Sequence, residues 1–248
     1  MYYTIMLACL LACLLACCVG GCDSVDKFNR KLELKSDKYF SFRTKINTFL
    51  DLQLNAVRFE GDSMAAGQNY DPQSASVHKV YDWSDFKDAE THGISGAPLE
   101  IIFEGIVPRK AAVIVLFAGF NDIKHVQKPE ADIVSEYAKV LNRVKLLSDK
   151  VVCVGVPPMV HSKSDVWYPE GAGITNARIT SVDSYIHNLC GDSYIDTPSF
   201  WADSDSDDGI HPNRQGYSKI VFALKSKIPA KYQTCIKGNS KLNKPQLV

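Results

Sequence analysis

Hydrophobic and polar positions divide this chain into three regions. Residues Ile5 to Val19 form one unbroken apolar run, IMLACLLACLLACCV, of 15 residues. A bilayer span needs about 20, so the run predicts the core of a signal peptide and not a helix of the folded domain. From Asp23 to about Leu54 the chain is charged, with Phe42, Ile46, Phe49 and Leu50 recurring at three- and four-residue steps. That periodicity predicts a tether followed by a helix. Farther on, short apolar runs alternate with longer amphipathic stretches, the order that folds into a parallel sheet covered by helices.

The predicted strands are Ala56 to Phe59, Val77 to Tyr81, Ala111 to Phe117 (AAVIVLF), Val151 to Val156 (VVCVGV) and Ser193 to Asp196. The third and fourth are uninterrupted, rich in β-branched residues and bounded by Gly or Pro, as strands buried on both faces are. Between them, Glu130 to Leu147 places Ile133, Tyr137, Val140, Leu141, Val144 and Leu147 on one helical face just after Pro129. Further helices are predicted over Thr175 to Leu189 and Asn213 to Ile228, the second with Asn213 as its cap and Tyr217, Ile220, Val221 and Leu224 inward. The organisation expected is a signal over 1–22, a tether and helix over 23–54, one α/β domain over 55–230 and a tail over 231–248.

Composition narrows the classes. Of 248 residues, 46% are hydrophobic and 23% charged, enough to fill a core and too apolar for general disorder. Lys and Arg (28) balance Asp and Glu (28), which removes the basic footprint of a general nucleic-acid binder or a polybasic membrane protein. Val19-Gly20-Gly21-Cys22 resembles the lipobox of bacterial lipoproteins, in which the Cys becomes lipidated and N-terminal. Leu14-Leu15-Ala16-Cys17 and Leu10-Leu11-Ala12-Cys13 fit the same pattern, so the cleavage site stays open. The resemblance implies a secreted or cell-envelope protein anchored by lipid at Cys22, with its domain in water.

Five of the eight cysteines (Cys9, Cys13, Cys17, Cys18 and Cys22) lie in this first segment. Cys153, within an apolar strand, reads as a small buried hydrophobe, whereas Cys190 and Cys235 flank turn-rich regions and are candidates to pair in an oxidising compartment. No Cys-x-x-Cys or His-x-x-x-His spacing occurs, so no structural zinc site is predicted.

Gly61-Asp62-Ser63 follows the first predicted strand, which places Ser63 at the carboxyl edge of the sheet, where open α/β folds bind ligands. Near the other end, Asp207-Asp208-Gly209-Ile210-His211-Pro212-Asn213 sets a carboxylate and an imidazole three residues apart, just ahead of the final helix. A serine hydroxyl needs a base, and the base needs a carboxylate to fix its tautomer and stabilise the imidazolium. Ser63, His211 and Asp208 supply those parts. A tetrahedral intermediate also needs donors at its oxyanion. Asn121 in Gly119-Phe120-Asn121-Asp122 follows a strong strand, and Gly96 in Gly93-Ile94-Ser95-Gly96 offers an unobstructed N–H.

With these blocks in order, the chain resembles the SGNH hydrolase superfamily, also called GDSL esterases and lipases, over about Val57 to Leu224. Carried over by resemblance, Ser63 is the nucleophile, Asp208 the acid and His211 the base. The Ser63 N–H, Gly96 and Asn121 form the oxyanion hole, with Gly93 as the other backbone that could face the site. Met64-Ala65-Ala66 and Ala97-Pro98 depart from the family's usual residues at substrate-contacting positions. The fold implied is a flavodoxin-like three-layer α/β/α sandwich with a five-stranded parallel sheet.

An α/β-hydrolase elbow fits less well, because Ser63 follows the first strand and Asp208 lies only three residues before His211. Asp203, Asp205, Asp207 and Asp208 do not make an EF-hand, since Asp208 and Arg214 stand where Gly and Glu are required. They read as a solvated acidic loop. Pro157-Pro158 through Trp167-Tyr168-Pro169 offers a substrate wall. The function expected is a serine esterase acting on O-acetyl or acyl esters of glycans or lipids, with no metal or organic cofactor implied. Alternatives are an O-acyltransferase using the same site, or a noncatalytic surface lipoprotein on this scaffold.

Overall fold

Strand β1 (Val57–Gly61) is buried along its whole length and leads into an antiparallel hairpin, β2 (Gln68–Asp71) with β3 (Ser76–Lys79). There follow β4 (Glu90–Gly93), helix α1 (Leu99–Gly105), β5 (Val113–Phe117) and the short α2 (Phe120–Ile123). After these come α3 (Glu130–Lys145), β6 (Val151–Val154), the short α4 (His161–Ser164), α5 (Asn176–Cys190), β7 (Tyr194–Ile195) and α6 (Arg214–Lys227). This computed structural model describes residues 56–71, 76–125, 127–164 and 174–234. The signal segment with Cys22, the tether and helix of 23–54, Cys235 and Trp167 to Pro169 lie outside the described residues.

Five strands form one parallel sheet in the order β4-β1-β5-β6-β7, the flavodoxin-like order expected. β5 and β6 are buried throughout, as their continuous apolar sequences require. Helix α3 begins after Pro129, carries Glu130 and Asp132 in its first turn and Arg143 and Lys145 in its last, and buries Ile133, Tyr137, Val140, Leu141 and Val144. The Asn213 side chain accepts the N–H groups of Gln215 and Gly216, capping α6. Because the chain moves to β4 on one side of β1 and to β5 on the other, a crevice opens at the carboxyl ends of β1 and β5.

Two expectations change. Residues 77–81 do not supply a sheet strand: Ser76–Lys79 is exposed and pairs only with β2. The edge position belongs to Glu90–Gly93, whose sequence ETHG has no apolar run because an edge strand need not be buried on both faces. The disulfide also differs. Cys190, the last residue of α5, is bonded to Cys153 in β6, with Cα atoms 6.3 Å apart, so Cys153 is not a free buried thiol. The partners are 37 residues apart and meet only because α5 returns beside β6.

An aromatic cluster supports the turn after β1. Phe59 stacks on Trp83 at 4.1 Å between ring centroids, and Trp83 meets Tyr217 of α6 edge-on at 5.6 Å. Trp83 Nε1 donates to the Ala65 carbonyl at 2.9 Å, and the Tyr217 hydroxyl donates to the Gln68 carbonyl at 2.8 Å. At Gly61 itself (φ 143°) a Cβ would stand 1.8 Å from the Phe117 carbonyl oxygen, so only glycine fits.

The other face of β1 is charged. Arg58 and Glu60, both buried, form an ion pair of 2.7 Å, and Arg58 also donates to the Arg109 carbonyl at 2.7 Å. Burial pushes the Glu60 carboxyl up to about 7, outweighing the Arg58 guanidinium and the Val107 N–H that favour its ionised form. Burial likewise raises Asp62 to about 6. Each native carboxyl holds a proton that the unfolded chain has already released. This contribution to stability is therefore complete below about pH 4 and lost as pH rises through 6 and 7. The carboxyls held low, Asp82, Asp85 and Asp208, act below their ordinary 3.8, outside that window. The urea midpoint should fall from pH 5 to pH 8, and Glu60→Gln should flatten the slope. Equal slopes in both proteins would refute this assignment.

Candidate active site

Ser63 sits on the turn that ends β1, and its Oγ lies 2.9 Å from Nε2 of His211 across a sequence separation of 148. Nδ1 of the same ring lies 2.6 Å from Oδ2 of Asp208. A carboxylate only accepts, so Nδ1 carries the proton and Nε2 is left to accept from the serine hydroxyl. Asp208 is fully buried, and its Oδ1 receives the N–H groups of Ile210 (2.9 Å) and His211 (2.7 Å) and the Ser206 hydroxyl (3.1 Å). Burial alone would raise this carboxyl. The hydrogen bond and charge of His211, with the two backbone N–H groups, outweigh burial and hold Asp208 below its usual range.

The loop bearing Asp208 and His211 is the solvated acidic loop expected from sequence only in part, since Asp203 and Asp207 are exposed while Asp205 and Asp208 are buried. Asp205 is buried, pairs with Lys219 at 2.6 Å and accepts the Ala202 N–H at 2.8 Å. Asp207 accepts from Asn69 (3.1 Å) and Asn213 (2.9 Å). The Val160 N–H reaches the Gly209 carbonyl at 2.8 Å, fastening the loop to the segment after β6. These carboxylates are structural because their partners come from the β2 hairpin and α6, which a reading of the loop alone does not bring near.

Asn121 stands in α2 directly after β5, on the same sheet edge as Ser63, and its Nδ2 donates to Asp62 Oδ2 at 3.4 Å. Ser63, Gly96 and Asn121 line one cleft of about 150 Å³ together with Met64, Phe120 and Ile210. Gly93 does not take this place. A Cβ there would meet the Ala66 nitrogen at 2.3 Å and the Asp62 oxygen at 2.5 Å, so Gly93 packs against the turn while Gly96 faces open space.

Three supporting residues were missed by sequence reasoning. Asp62 accepts the Met64 N–H at 2.9 Å and fixes the turn. Asp122 accepts the Leu99 N–H at 2.8 Å, capping α1 from a distance, and pairs with Lys128 at 2.5 Å. Arg178 of α5 donates to the carbonyls of Ile123 (3.1 Å) and Lys128 (2.5 Å), holding the far end of α2. Asp62 was visible as part of Gly-Asp-Ser, but the partners of Asp122 and Arg178 carry no local signal.

The hydroxyl, imidazole and carboxylate thus stand in series beside backbone and amide donors, an arrangement suited to acyl transfer. Residues 59–219 match the model of the GDSL-like lipase/acylhydrolase family. Similar solved structures include a carbohydrate acetylesterase from Sinorhizobium meliloti, at 16% identity and a TM-score of 0.54, covering 69% of this chain and 97% of that one. A putative acylhydrolase from Bacteroides fragilis aligns at 17% identity and 0.54, covering 69% and 85%. The aryl esterase of M. smegmatis aligns at 16% and 0.51, covering 70% and 99%. At these identities the likeness is one of fold. No curated protein sequence matches significantly.

Proposed function

The chain belongs to the GDSL-like lipase/acylhydrolase family of SGNH ester hydrolases, and from that premise we propose that it cleaves carboxylic esters through an acyl-enzyme on Ser63. The observation that carries this reading is the unbroken relay from Ser63 Oγ to His211 to Asp208, 2.9 and 2.6 Å long.

His211 Nε2 takes the Ser63 proton as Oγ bonds to the ester carbon, and the carbonyl electron pair moves onto its oxygen. That oxyanion is met by the N–H groups of Ser63 and Gly96 and by the Asn121 amide, whose orientation Asp62 fixes. The imidazolium, stabilised by Asp208, returns the proton to the departing alkoxide as the carbon–oxygen bond breaks. Water then repeats the sequence on the acyl-enzyme: His211 takes its proton, the carboxylic acid leaves, and Ser63 is restored. The cleft that holds Ser63, of about 150 Å³, opens to solvent beside the relay. It has room at the serine for a short acyl group, such as an acetyl ester of a glycan.

Location at the cell envelope, with lipid on Cys22, is part of the same proposal. It is supported by the apolar run ahead of Cys22 and by the Cys153–Cys190 disulfide, a bond that persists in oxidising compartments. A fluorophosphonate probe tests the chemistry: the full chain should be labelled and Ser63→Ala should not. An unlabelled wild-type protein with native circular dichroism would favour a noncatalytic role.

A further inference from the structure

Lys124 stands one helical turn beyond Asn121, at the end of α2, and its half-buried side chain lines the same cleft as Ser63 and His211. Its backbone is held from two sides. The Lys124 N–H bonds the Phe120 carbonyl at 3.0 Å, and Arg178 secures the preceding Ile123 carbonyl. The neighbouring cations are engaged elsewhere: Lys128 with Asp122 and Glu136, Arg178 with Glu130 and two carbonyls. Among the described residues no carboxylate lies within ion-pair distance of the Lys124 ammonium. The nearby acid, Asp62, is buried in the same cleft, receives the Met64 N–H and the Asn121 amide, and feels the charge of Lys124 through space without pairing with it directly. Otherwise the cleft wall is largely apolar, with Met64, Val77, Phe120 and Ile210.

An ammonium with no direct ion-pair partner, lining the same cleft as the nucleophile, is free to meet an anion carried by the substrate. We propose that Lys124 is the specificity residue of this site and binds an anionic group carried by the ester, so that carboxylate-bearing esters are preferred over neutral ones. The proposal rests on the ester-hydrolase reading above. An ammonium there attracts the anion over several ångströms and orients the ester in the cleft. It adds no covalent step, because the proton and acyl transfers remain with Ser63 and His211. The anion can sit on either side of the scissile bond, and the two positions are distinguished by experiment.

Two substrate pairs serve: phenyl acetate against acetoxybenzoate, with the charge on the alcohol, and nitrophenyl acetate against nitrophenyl hemisuccinate, with the charge on the acyl group. For each pair the ratio of kcat/KM, anionic over neutral, is compared among wild type, Lys124→Gln and Lys124→Arg. Lys124→Gln should lower the ratio about five- to tenfold in one pair, chiefly through KM, and Lys124→Arg should keep it. Added salt should lower the wild-type ratio and leave that of Lys124→Gln flat. Taking a ratio cancels any general loss of activity. Ser63-dependent turnover of the neutral ester tests the parent reading separately. Ratios for Lys124→Gln within about twofold of wild type in both pairs would overturn the assignment.

Discussion

Ser63→Ala, His211→Ala and the double variant should all fall to the same residual rate, with kcat on a neutral aryl ester reduced on the order of 10⁶-fold. The losses are not expected to multiply. Ser63 Oγ and His211 Nε2 share one hydrogen bond of 2.9 Å, so the hydroxyl without its base, or the base without its hydroxyl, begins no reaction. What survives is the contribution of the oxyanion donors and of binding in the cleft, which all three variants keep. Asp208→Asn should cost about 10⁴-fold, because an amide cannot both accept from Nδ1 and stabilise the imidazolium. Steady-state rates on freshly purified variants measure this directly. A Ser63→Ala enzyme retaining more than about a tenth of wild-type kcat would remove Ser63 as nucleophile.

The largest effect on stability is expected at Arg58. Arg58→Met strands the Glu60 carboxylate in the interior of β1, and breaking a buried pair in this way typically costs about 3–5 kcal/mol. For a domain of this size that is a fall in Tm on the order of 10 °C. Arg58→Met combined with Glu60→Leu should recover most of the loss, since no charge is then left without a partner. The penalty of the single variant should also shrink at pH 5, where the Glu60 carboxyl, pushed up to about 7 by burial even beside Arg58 and higher without it, is protonated and neutral. Calorimetric melts of the two variants at pH 5 and pH 8 provide the check. A double variant no more stable than Arg58→Met would show that the guanidinium matters for its packing and its bond to the Arg109 carbonyl, not for its charge.

Sequence carried the parts of this fold that rest on local chemistry. The runs at Val113–Phe117 and Val151–Val154 announced central strands because burial on both faces leaves no polar position. Asn213 announced its helix because an N-cap needs only the next turn. Ser63, Asn121, Asp208 and His211 were legible together, through their order and the elements they follow, and the structure brings them to one sheet edge. The strand Glu90–Gly93 was not legible, since an edge strand of four residues needs no apolar pattern. The covalent link of Cys190 to Cys153 was hidden for another reason. A half-cystine on a buried strand and a free buried cysteine have the same apolar neighbours in sequence, and only the return of α5 beside β6 separates them. Lys124 and Arg178 gave no signal, because their roles depend on groups brought near by folding.

Asp208 and His211 occupy one loop, and the loop's own amides hold the carboxylate against the ring. Acid and base therefore travel as a single body, and their direct link to the nucleophile is the one contact with Ser63. That body is in turn moored to Val160, to Asn69 of β2 and to Lys219 of α6, so its reach toward the serine is set by three separate parts of the fold. A disturbance at any one of those moorings is therefore felt by carboxylate and imidazole together, as a change in their distance from the hydroxyl and not in their distance from each other.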